Sequence, residues 1–137
     1  MTPELTALAL SGLLLLVQLC WMAVRANLEL GSEYFLTPRD TPLPKAPSTG
    51  TQRLKRAYEN HLEALLPFAI AVFVVTLAGA GTGLTAACAW LYLAARVLYV
   101  PAYLYGWVPW RSVFFGLALL ATGLMLVAAL LGNSPNG

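Results

Sequence analysis

The chain has 137 residues, of which 59% are hydrophobic and only 10% charged, with a formal net charge of +2 and a mean hydropathy of +0.72. These values lie far from those of water-soluble domains and predict an integral membrane protein. The small positive balance has no basic run with interleaved aromatics, so nucleic acid is excluded as a partner. Cys20 and Cys88 sit singly in apolar segments without CxxC or Cys/His spacing, and neither a disulfide nor a metal site is expected.

A bilayer core of about 30 Å needs about 20 helical residues per crossing, and four such segments can be cut from the chain. The first runs from about residue 5 to 25. Its apolar run, Leu5 to Val24, is followed by Arg25 rather than by a small-residue cleavage site, so it reads as a retained helix and not a signal peptide. Gln18 is its one strongly polar member, and an interhelical hydrogen bond is its expected role.

Residues 26–52 change to charged, threonine-rich and proline-rich sequence, and Pro38, Pro42, Pro44 and Pro47 rule out a continuous helix. This reads as a long aqueous loop, with Arg39 and Asp40 as a local ion pair. The second helix is placed at about 53–77 and ends at GAGTG, where Gly79, Gly81 and Gly83 mark a turn. With no preceding strand and no following lysine, that run is not a phosphate loop. The third and fourth helices are placed at about 84–105 and 111–131, joined by a Gly-Trp-Val-Pro-Trp turn, and the polar GNSPNG tail reads as frayed. The fold class is therefore all-α, an integral membrane four-helix bundle in one domain.

The cations set an orientation. Arg25, Arg39, Lys45, Arg53, Lys55 and Arg56 lie in or beside the first loop and Arg111 borders the third, whereas the amino terminus, second loop and tail have none. Both basic loops are expected in the cytoplasm of a multi-pass protein of the cell inner membrane, with Trp107 and Trp110 in an interfacial belt.

Polar residues inside the helices point to a site. At 100° per residue Arg56, Asn60, Glu63 and Pro67 share a sector of about 60°, flanked by Arg53 and Glu59. His61 points about a quarter turn away and is left out of the site. On the third helix Tyr92, Arg96, Tyr99 and Tyr103 share a face. Glu63 and Arg96 both lie about 15 Å from the basic ends of their helices. A lone charge at that depth is costly, so a Glu63–Arg96 ion pair is expected. Arg53, Arg56 and Arg111 then remain in surplus at the same mouth, which suits a ligand with several carboxylates.

The segments RAYENHLEALLPF, ARVLYVPAY and WRSVFFGLAL resemble a known family, the membrane-associated proteins in eicosanoid and glutathione metabolism (MAPEG). The resemblance covers the second to fourth helices. It implies a homotrimer binding glutathione as co-substrate between subunits near the cytoplasmic side, with membrane lipid and a hydrophobic substrate as further partners. Arg56, Asn60 and Glu63 match its glutathione-contacting positions on the second helix, and Arg96 and Tyr103, with Tyr99 between them, those on the third. Arg111 and Ser112 match the pair proposed to stabilise the thiolate in active relatives. The implied function is a glutathione-dependent transferase or peroxidase acting on hydrophobic electrophiles. Glu59 stands where an active relative has arginine, and Tyr99 where some members have histidine. These two departures favour the alternative, a non-catalytic scaffold holding a lipid or metabolite.

Overall fold

The computed structural model describes residues 1–31 and 48–132 as four helices. These are α1 (Pro3–Leu30), α2 (Thr49–Leu77), α3 (Gly83–Leu104) and α4 (Trp110–Gly132). All four are long and apolar enough to cross a membrane. The anticipated Arg39–Asp40 pair, Lys45, the four prolines and the tail after Gly132 lie outside the described residues.

Two helices are longer than their hydrophobic runs. Helix α1 continues to Leu30, and Gly31, at φ +90°, closes it with its N–H on the Asn27 carbonyl. Helix α2 starts at Thr49, four residues ahead of the expected Arg53, because Ser48 serves as its N-cap and accepts from the Thr51 N–H at 3.2 Å. The Glu29 carboxylate holds the two ends together. It accepts from the Ser48 N–H at 3.1 Å, the Ser48 hydroxyl at 2.6 Å and the Thr51 hydroxyl at 2.9 Å. Threonine and glycine in TGTQ look like loop composition, yet here the Thr51 side chain is committed to this junction.

Glycine ends α2 and α3 in the same way. Gly79 (φ +65°) and Gly106 (φ +69°) adopt the left-handed backbone that side chains with a Cβ avoid. Beyond each, an N–H reaches back five residues, Ala80 to the Val75 carbonyl at 2.9 Å and Trp107 to Ala102 at 2.7 Å. Both are Schellman closures, which satisfy carbonyls the helix leaves unpaired.

Helices α2 and α3 form the centre of the bundle. Helix α1 packs on both from one side and α4 on both from the other, while the α1 and α4 backbones stay apart. The core is mostly alanine, including Ala7, Ala64, Ala71, Ala89, Ala95, Ala118 and Ala121, around Phe68, Tyr92 and Met125. Small side chains let the backbones approach closely, which is how membrane helices gain packing energy without a hydrophobic drive between them. Ala118 belongs to this core, whereas Gly116 and Gly123 on α4 face outward with open space around them. At the end away from the first loop, Glu4 is buried and accepts from the Thr85 hydroxyl at 2.6 Å, tying α1 to the capped start of α3. Cys88 is in the core and Cys20 faces outward, both as free thiols.

Candidate functional site

The polar residues of α2 and α3 meet at the end of the bundle that carries the first loop. Their register follows from packing. Leu54, Ala57, His61, Ala64 and Phe68 recur at three- and four-residue spacing and form the buried face of α2. Arg56, Asn60 and Glu63 therefore fall on its flank and exterior, with Asn60 half-buried and the other two exposed.

Arg96 is fully buried on α3. Its Nη1 donates to the Asn60 Oδ1 at 2.8 Å, and its guanidinium lies 4.2 Å from the centre of the Tyr99 ring. Among the described residues its Nε and Nη2 are enclosed without partners. The anticipated ion pair between Glu63 and Arg96 does not form. Three residues beyond Asn60, the helix has turned by about 60°, enough to carry Glu63 to the outside while Asn60 stays against α3. Among the described residues the Glu63 carboxylate has no ion-pair partner, and it stands beside exposed Leu62 and Leu66.

Closer to the mouth, Tyr103 links three elements. Its ring lies 5.6 Å from that of Tyr99, with the Arg56 guanidinium 6.0 Å and the Arg111 guanidinium 5.1 Å from its centre. Arg56 and Arg111 come from α2 and α4, and neither has a carboxylate partner among the described residues. Their separation from any acid leaves a positive, half-open patch built over one aromatic face. Ser112 is exposed on α4 next to Arg111.

Six of the eight anticipated residues, Arg56, Asn60, Arg96, Tyr99, Tyr103 and Arg111, are thus connected by direct contacts within the single chain. Glu63 and Ser112 face outward. Arg96 and Tyr99 are enclosed and form an inner layer behind Asn60 and Tyr103.

Other cations have local tasks. Arg53 donates through Nη1 to the Leu104 carbonyl at 3.2 Å, at the C-terminus of α3, with its guanidinium lying beside Gly106. It caps a helix through a backbone carbonyl. Arg25 lies 4.0 Å from Glu29 and crosses Gly50. Glu59 is exposed and sits 3.8 Å from Lys55 one turn before it.

One buried pair was not anticipated as such. His61 Nδ1 lies 2.6 Å from the Gln18 Oε1, joining α2 to α1. The sequence does carry a signal for it, since His61 occupies the apolar periodicity of Leu54, Ala57, Ala64 and Phe68.

A family model for the MAPEG family matches residues 5–131, nearly the whole chain. The chain belongs to the MAPEG family. No curated protein matches it. Glutathione-dependent transferases and peroxidases are found in the MAPEG family together with other members, so membership fixes the membrane fold and leaves the activity to be argued from the site.

Proposed function

We propose that this chain is a glutathione-dependent membrane enzyme, of transferase or peroxidase type, acting on hydrophobic electrophiles. The observation that carries this reading is the shared ring of Tyr103, on which Arg56 and Arg111 converge without an acid between them. Two like charges so placed repel each other, and a ligand bearing carboxylates or a thiolate removes the repulsion.

In this reading glutathione lies against Arg56, Asn60, Glu63, Tyr103 and Arg111, with Arg96 and Tyr99 holding Asn60 and Tyr103 from behind. Arg111 and Ser112 act on the sulfur. The cation favours the deprotonated thiol and the hydroxyl donates to it, so the proton leaves to water and the thiolate becomes the nucleophile. Its sulfur then bonds to an electrophilic centre reached through the lipid, and the electron pair of the broken bond goes to the leaving group. Outward-facing Glu63, with exposed Leu62 and Leu66 beside it, supports a neighbouring protomer completing the site, as in a homotrimer. The bias of Lys and Arg toward the first and third loops supports a cytoplasmic mouth in the cell inner membrane.

Adding glutathione to the purified protein is expected to produce a thiolate absorbance band that is reduced in Arg111→Ala. No band and no saturable binding would end this reading. Glu59, an exposed carboxylate beside Lys55 where an active relative has arginine, favours a second one, in which the protein holds a lipid or anionic metabolite without turnover. A co-purifying native ligand, together with no reaction over a panel of electrophiles, would select it.

A further inference from the structure

Gln18 and His61 lie outside the proposed ligand wall, yet they are among the most enclosed polar side chains of the protein, at 1% and 0% exposure. With the amide oxygen of Gln18 facing the ring at 2.6 Å, His61 Nδ1 carries the hydrogen and donates it. His61 directly follows Asn60, whose Oδ1 takes the Arg96 hydrogen bond at 2.8 Å. Consecutive residues of α2 are therefore held from two directions, by α1 through Gln18 and by α3 through Arg96. The two side chains leave the helix about 100° apart, so one bond resists the rotation that the other would permit. Arg56, one turn before this clamp, and Glu63, one turn after it, take their direction from it.

Stability does not account for the arrangement. Among the described residues, Gln18 Nε2, His61 Nε2, Tyr92 Oη and two nitrogens of Arg96 are buried without partners. A polar network satisfied only in part is less stable than apolar packing of the same shape. What the network does supply is a single rotational setting of α2, since directional bonds specify register where alanine-rich packing does not. We propose that Gln18 and His61 are positioning residues of the ligand wall, clamping α2 so that Arg56, Asn60 and Glu63 are presented together. This rests on the glutathione reading, which it extends to α1.

The test is a paired apolar replacement, Gln18→Leu with His61→Phe, which removes both polar groups and strands neither. Its melting temperature in detergent should equal or exceed that of wild type, while the dissociation constant for glutathione rises by about ten- to a hundredfold. A lower melting temperature would show that the pair serves stability, and unchanged affinity would show that it does not position the wall; either result overturns the proposal. A ligand-free readout separates this outcome from failure of the glutathione reading. In protein labelled with 15N-asparagine, the Asn60 side-chain amide, assigned by its loss in Asn60→Ala, should shift or broaden in the double variant. If wild type binds no glutathione, the functional reading falls, and an unmoved Asn60 resonance overturns the clamp as well.

Discussion

Arg96 Nη1 lies 2.8 Å from Asn60 Oδ1 and joins α3 to α2 in the interior of the bundle. The guanidinium is fully enclosed, stacked toward Tyr99, and has no carboxylate partner among the described residues. One amide oxygen and one aromatic face thus carry a buried positive charge, and the wall of the candidate site stands on that contact.

Removing the acceptor is therefore expected to cost more than removing the charge. Asn60→Leu leaves an uncompensated guanidinium and should destabilise the folded protein by about 3 kcal/mol. Arg96→Met takes away the charge together with its need for a partner, so its loss should be smaller. Denaturation of both variants in detergent micelles gives the order, and a larger loss for Arg96→Met would show that Arg96 has a further partner.

Glu63 behaves in the opposite sense. With no ion-pair partner among the described residues and an outward setting, Glu63→Gln should leave the unfolding midpoint within about 0.5 kcal/mol of wild type. In the glutathione reading its affinity for the ligand should nevertheless fall at least about tenfold, because a carboxylate available to the ligand's ammonium group is lost. Calorimetry on the two proteins checks this, and equal affinities would remove Glu63 from the wall.

The four membrane segments and the glycine turn at Gly79 were legible because composition and helical period record them directly. Direction around a helix was less so. Asn60 and Glu63 share a 60° sector, and only the packing of α2 on α3 decides which of them meets Arg96. The task of Arg53 was hidden for a related reason, since its acceptor is a backbone carbonyl of another helix and leaves no mark on side-chain pattern. Gln18 could be read as bonded but not to whom, because the neighbours of α1 are set by the assembled bundle. Residues 49–52 look like loop, and their helix depends on Ser48 and on Glu29 across the junction.

Glycines at two positions should respond with opposite sign. Gly79 is at φ +65°, so Gly79→Ala forces a left-handed alanine and should cost about 1–2 kcal/mol. Gly116 lies within α4, with nothing near the position a Cβ would take in the protomer. Gly116→Ala should therefore stabilise the protomer by up to about 1 kcal/mol through helix propensity. Thermal unfolding measures both, and a destabilised Gly116→Ala would reveal close packing of another copy against that face.

Arg53 and Arg111 lie at the same mouth and should separate stability from chemistry. Arg53 Nη1 bonds the Leu104 carbonyl at 3.2 Å, so Arg53→Ala exposes the C-terminus of α3 and should lower stability by about 1 kcal/mol. The thiolate band formed with saturating glutathione should persist in that variant. Arg111 makes no ion pair among the described residues, and its guanidinium lies over Tyr103 at 5.1 Å. Arg111→Ala should leave the unfolding midpoint nearly unchanged and diminish the band. Recording melting curves and difference spectra on both variants gives four values, and a band lost equally in Arg53→Ala would show that the cations act as a general positive field rather than through Arg111 at the sulfur.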